Sequence, residues 1–110
     1  TYAKPQKITA FRLSDRTVDF ETAQVIYHDE KIPLTAKEFI LMKKLWEYKN
    51  RIVTNDALCM AAWGDDYYGY ENTLMVHIRR LREKIEENPS RPKHLITAKG
   101  LGYKLVLENE

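Results

Sequence analysis

Residues 71–107 run ENTLMVHIRRLREKIEENPSRPKHLITAKGLGYKLVL, a helical repeat that gives way to a strand repeat across a segment with two prolines. Leu74, Ile78, Leu81 and Ile85 stand at i, i+4, i+7 and i+11, the spacing of a narrow buried stripe on an α-helix. The spacing predicts a helix over residues 71–87, roughly 25 Å long at about 1.5 Å per residue. A turn of about 100° per residue places Asn72, Val76, Arg79, Arg80 and Glu83 opposite the stripe. Thr73, His77 and Lys84 fall on one flank and Arg82 on the other. Asn88-Pro89 stops the helix, because proline cannot continue it and restricts the residue before it. After the polar loop Ser90–His94, Leu95–Lys99 and Tyr103–Leu107 are expected as strands. Gly100-Leu101-Gly102 joins them, its glycines permitting the positive φ of a tight hairpin, with Lys99 and Lys104 near the tip.

Upstream, the loop Gly64-Asp65-Asp66-Tyr67-Tyr68-Gly69-Tyr70 carries two acids and three tyrosines; such a loop either offers a contact surface or folds its rings back onto the domain. Before it, Thr54 is placed to cap a second helix that Gly64 ends, with Asp56 in its first turn and Leu58, Ala61 and Ala62 on its buried side. Ile52-Val53 is a brief extended piece. Thr35-Ala36-Lys37-Glu38 forms a capping box opening a first helix that runs to about Tyr48, with Phe39, Leu41, Met42, Leu45 and Trp46 on a wide apolar face. Nearer the start, Ile8–Leu13, Thr17–Phe20, Gln24–His28 and a short stretch near Ile32 suit an antiparallel meander. Residues 1–7 are expected as a linker or chain end, 8–107 as one domain and 108–110 as a tail.

The composition fits one such domain: 110 residues, 44% hydrophobic and 31% charged, enough to bury a core without metal or disulfide. The single Cys59 cannot staple the chain and mildly favours a reducing compartment; on a short helix it is expected as a packed thiol. The net charge of +2 is unevenly spread. Residues 1–70 balance ten basic against ten acidic side chains, whereas residues 71–104 hold eight basic against four acidic. A local basic segment suits a surface meeting a polyanion on one side, although a charged helix face also arises simply from solvation.

Other chemistries find little support. His28, His77 and His94 lie at no metal-ligand spacing and Cys59 is remote from them, so no metal site is expected. Gly100-Leu101-Gly102 precedes no helix, which excludes a dinucleotide fingerprint, and Ser14 and Ser90 have no histidine and acid placed to activate them. No catalytic residue and no cofactor is expected. Trp46, Trp63, Met42, Met60 and Met75 are read as packing residues. No apolar run reaches a membrane span and no signal peptide is apparent at the start, which makes a cytoplasmic location the expectation.

Four motifs in order carry a resemblance: Leu34-Thr35-Ala36-Lys37-Glu38-Phe39, Ala62-Trp63-Gly64, Val76–Lys84 and Ile96–Tyr103. Together they make the chain, from about Ile8 to Val106, similar to the DNA-binding effector domain of the OmpR/PhoB family of bacterial response regulators. The resemblance implies an α+β fold: a winged helix-turn-helix with an N-terminal four-stranded antiparallel sheet, three helices and a C-terminal β-hairpin wing. It implies a recognition helix at 71–87 in the major groove and a wing at 95–107 on phosphate or minor groove. Carried over by position, Thr73, Val76, His77, Arg79, Arg80 and Arg82 become recognition-helix contacts, Thr97 and Lys99 wing contacts, and Trp63 a support near the phosphate backbone; Asn72 joins them through its outward position. The family commonly has arginine where Asn72 stands, an acid at Met75 and arginine at Lys99. Loss of two fork-shaped donors shifts the balance from bidentate recognition towards point charges.

Side-chain chemistry suggests a division of labour. Arg80 suits guanine O6 and N7, Asn72 adenine N6 and N7, and Val76 a thymine methyl, whereas Arg79, Arg82, Thr97, Lys99 and Lys104 suit phosphate. The resemblance further implies directly repeated half-sites, an isolated domain that is monomeric but dimeric on DNA, an N-terminal receiver domain with a sensor kinase as partner, and RNA polymerase contact through Asp65, Asp66, Tyr67, Tyr68, Gly69 and Tyr70. The alternative is a winged-helix protein-interaction module using the 64–70 loop and the acidic end of the third helix, without sequence-specific DNA binding.

Overall fold

Thr35 accepts a hydrogen bond from the Glu38 amide at 3.2 Å while the Glu38 carboxylate accepts from the Thr35 amide at 2.9 Å, so the capping box forms as read and starts helix α1, Ala36–Glu47. The computed structural model describes residues 10–13, 15–64 and 71–107. The proposed linker, tail and Asp65–Tyr70 loop lie outside the described residues. Before α1, strands β1 (Ala10–Arg12), β2 (Thr17–Asp19), β3 (Gln24–Tyr27) and β4 (Glu30–Pro33) form an antiparallel meander in chain order. Its Phe11 and Phe20 rings lie 6.0 and 5.6 Å from the Trp46 ring of α1, which joins the sheet to the helical core.

Past α1 the chain turns through Asn50, at φ 65°, into β5 (Ile52–Thr54) and then α2 (Asn55–Trp63). Thr54 caps α2, accepting from the Ala57 amide at 3.1 Å, and Gly64 ends it at φ 75°. Helix α3 spans Glu71–Ile85, and β6 (Leu95–Ala98) and β7 (Gly102–Leu105) make the hairpin. Leu74, Ile78, Leu81 and Ile85 of α3 are buried together with Leu41, Met42 and Leu45 of α1 and Leu58, Cys59 and Ala62 of α2 in one continuous core.

Several expectations are corrected. Helix α3 stops two residues early, at Ile85; the Glu86 amide still donates to the Arg82 carbonyl at 2.9 Å, and its carboxylate turns to accept from the backbone amides of the following loop. Ile52-Val53 is extended as expected, in β5, and its pairing with β7 adds what was not foreseen, a three-stranded sheet in the order β5-β7-β6. Gly100 has the expected positive φ, 79°, but Gly102 does not; a Cβ there would stand 2.0 Å from the Val53 carbonyl oxygen. Its role is the close approach of β7 to β5. Ala61 is only half-buried while Cys59 is buried in its stead. Met60 and Met75 are exposed, so only Met42 of the three methionines is a core residue.

Candidate nucleic-acid interface

With its apolar stripe fixed in the core, α3 turns one polar face outward. Asn72, Val76, Arg79, Arg80 and Glu83 are all exposed, as the helical wheel predicts. Among the described residues neither Arg79 nor Arg80 enters a salt bridge. Both guanidiniums are therefore presented to solvent with their donors uncommitted to acids.

The helix is held in register from three directions. Lys84 on its flank donates to the Pro33 carbonyl at 2.8 Å and to the Glu38 carboxylate, which ties α3 to the N-cap of α1. Arg16, from the β1–β2 turn, donates to the Lys84 carbonyl at 2.9 Å and lies 4.3 Å over the Tyr27 ring. It thus satisfies a terminal carbonyl of α3, where a cation is also favoured by the helix dipole. At the third anchor Glu86, just beyond α3, accepts from the backbone amides of Lys93, His94 and Leu95 at 2.9, 2.9 and 2.7 Å. The acidic end of the third helix is therefore partly consumed inside the fold.

The hairpin is fastened to the same helix. Arg82 donates from Nε to the Leu95 carbonyl at 3.0 Å and from Nη2 to Thr97 Oγ1 at 2.7 Å, with its guanidinium carbon 5.8 Å from the Tyr103 ring centroid. Arg82 and Thr97, both named from the sequence, are thus brought together as one bridge between helix and wing. Lys99 is exposed at the tip, three residues before Gly102. Between α3 and the hairpin lies an open cleft of about 720 Å³.

On the opposite flank, His77 and Trp63 face each other with ring centroids 5.7 Å apart, and Thr73 lies half-buried one turn earlier. Burial lowers the His77 pKa, with the Arg80 and Lys37 charges adding to the effect and Glu38 opposing it. The His77 Nδ1 is buried with no hydrogen-bond partner among the described residues. Sequence inspection missed Lys37. Its ammonium donates to the Ala62 carbonyl and lies 5.4 Å from the Trp63 ring centroid, adding a cation to this flank. A signal was available, since a lysine in the first turn of α1 is disfavoured by that helix's dipole and is explained by the C-terminal carbonyls of another helix.

Among the described residues no group of three or more His, Cys, Asp or Glu side chains is disposed to hold a metal, and no helix is long and apolar enough to cross a membrane. A helix with an arginine-bearing outer face, set on two others and flanked by a fastened β-hairpin, defines the winged-helix class of DNA-binding domains. Residues 29–105 match the family described as "Transcriptional regulatory protein, C terminal". The chain belongs to that family, as the DNA-binding output domain of an OmpR/PhoB-type response regulator of two-component systems, a non-enzymatic class.

Among relatives, the chain is 47% identical over 88 residues to the sensory transduction protein RegX3 of Mycolicibacterium smegmatis, covering 80% of this chain but 39% of that protein. It therefore spans well under half the length of that relative. In structure it is similar to the response regulator DrrB of Thermotoga maritima, an OmpR/PhoB homologue, with a TM-score of 0.78 at 27% identity, covering 90% of this chain and 45% of that one. It is also similar to the DNA-binding domain of RstA from Klebsiella pneumoniae, solved in complex with the RstA box, with a TM-score of 0.73 at 27% identity over 88% of this chain and 96% of that one.

Proposed function

We propose that the domain reads double-stranded DNA by inserting α3 into the major groove while the β6–β7 wing lies on phosphate or in the adjacent minor groove. The observation that carries this is the outer face of α3: Asn72, Val76, Arg79 and Arg80 exposed together, with both arginines outside any salt bridge among the described residues. A major groove about 12 Å wide admits one helix. Arg80 and Asn72 read base edges bidentately and Val76 touches a thymine methyl. Arg79, Thr97, Lys99 and Lys104 hold phosphates, as do Thr73 and His77 on the flank, with Trp63 supporting the backbone there. Arg82 serves both tasks: two of its five N–H donors hold the wing and the rest remain for phosphate.

By analogy with its relatives, two protomers bind directly repeated half-sites, the 65–70 segment meets RNA polymerase, and a receiver domain answering to a sensor kinase governs the whole in the cytoplasm. The protein-interaction module without DNA binding is not favoured, because the chain's family and structural relatives are DNA-binding output domains of transcriptional regulators and Glu86, just past the end of α3, is buried. The test is selection from a randomised duplex library, followed by titration of selected and random DNA across salt. A repeated half-site is expected to enrich, with a log K against log salt slope matching several phosphate contacts. Absence of enrichment even with two domains tethered refutes sequence reading.

A further inference from the structure

Met75 is 59% exposed and its neighbour Val76 49% exposed, an apolar pair on an otherwise polar helix face. Both line the cleft between α3 and the wing, beside Arg79 and Arg82 of the helix and Thr97 and Tyr103 of the hairpin. Nothing in the core requires Met75, since α3 is already seated by Leu74, Ile78, Leu81 and Ile85. A thioether left in water there costs solvation that burial against an apolar group would recover. In the major groove the bases offer hydrogen-bonding edges and one apolar feature, the C5 methyl of thymine.

Position and chemistry combine with charge. An acid at position 75 would pair with Arg79 one turn on, as opposite charges at i and i+4 do. Methionine leaves the Arg79 guanidinium uncommitted, so the same residue that adds an apolar contact also spares a phosphate-binding cation. Methionine is long and unbranched, and from the wing side of the helix it extends beyond the reach of Val76.

We infer that Met75 is a specificity-determining residue that packs on the methyl of a second thymine, on the wing side of the one facing Val76. This rests on the placement of α3 in the major groove. Each half-site would then carry two thymine methyls recognised by adjacent apolar side chains, and uracil at either position would be discriminated against.

The experiment uses the library-selected operator with each thymine replaced in turn by deoxyuridine, which removes the methyl and nothing else. Binding of the 110-residue chain is measured for the wild type, Met75→Ala, Met75→Leu and Val76→Ala. At one thymine the wild type is expected to lose about fourfold in affinity, the worth of one buried methyl. Met75→Ala should be insensitive to deoxyuridine there while keeping its sensitivity at the Val76 thymine, and Met75→Leu should restore the discrimination. The inference is overturned if no deoxyuridine weakens binding, if the penalty persists in Met75→Ala, or if only Val76→Ala abolishes it. Enrichment of an operator with any of those outcomes defeats Met75 alone, whereas no enrichment defeats the groove placement itself.

Discussion

Replacing Glu86 with alanine is expected to destabilise the domain by about 3 kcal/mol, a figure built from two parts. Of the three amides its carboxylate receives, that of Leu95 is buried, whereas Lys93 is exposed and His94 half-buried. The latter two amides can turn to water. The Leu95 amide cannot, and an orphaned buried donor costs about 1–3 kcal/mol. Lost packing of the one methylene that alanine lacks, Cγ, in a side chain only 3% exposed, adds about 0.8 kcal/mol. Against a total stability of about 5–15 kcal/mol, the melting temperature should fall by about 15 °C for a domain of this size. Glu86→Gln keeps a carbonyl for His94 and Leu95 but turns an amine towards the Lys93 amide, and should cost about half as much. Urea unfolding of the three proteins, with hydrogen exchange at the Leu95 amide, checks the assignment. An alanine variant within about 0.5 kcal/mol of wild type, or a glutamine variant as damaged as alanine, would refute it.

Acid should weaken the fold through Glu38: burial alone would raise its pKa, but hydrogen bonds from Lys84 and Thr35 and the Lys84 charge outweigh it and hold the carboxyl below its ordinary value. The unfolded chain then takes up the proton first, so stability drops as pH falls through the carboxylate range. Urea midpoints measured against pH should show a shallower acid slope in Glu38→Gln. Gly102→Ala should prevent folding or cost several kcal/mol, because its Cβ would meet the Val53 carbonyl at 2.0 Å; Gly100→Ala, with open space around it but φ at 79°, should cost about 1–2 kcal/mol in thermal unfolding. In DNA titrations, Arg80→Ala should lose about 1–3 kcal/mol and relax preference at one base pair, whereas Lys99→Ala should weaken selected and random duplex alike. Equal losses on both duplexes for Arg80→Ala would remove it from base reading.

Much of the architecture was legible because it is governed locally. The capping box at Thr35–Glu38, the cap at Thr54 and the 74-78-81-85 stripe each depend on spacing within one segment, and the stripe in turn determines which face of α3 is outward. What escaped depends on contacts between elements, which spacing within one element does not reveal. The burial of Glu86, within the acidic end of the third helix, escapes notice because its partners lie across a loop whose path is not legible in that spacing. Gly102 was assigned to a turn conformation because a glycine's sequence context does not distinguish positive φ from close backbone approach. Met75 and Met60 were read as packing residues because hydrophobicity alone does not say which side of a helix has room in the core. At the interface, Arg82 and Thr97 were named separately but their union is a tertiary fact, and Lys37 was passed over because its partner carbonyl belongs to another helix.

On the proposed placement, the Arg82 bridge would also decide which molecule bends. Held by Leu95, Thr97 and the Tyr103 ring, and braced behind by Glu86, the hairpin stands at a set distance from the helix like the second leg of a caliper. A duplex gripped by both legs would have to bring a major groove and its neighbouring backbone to that spacing, and the work of adjustment would fall on the nucleic acid. Base steps that yield easily would accept it at lower cost than stiff ones. The domain would then sort sequences partly by their mechanics, including at base pairs that no side chain reaches.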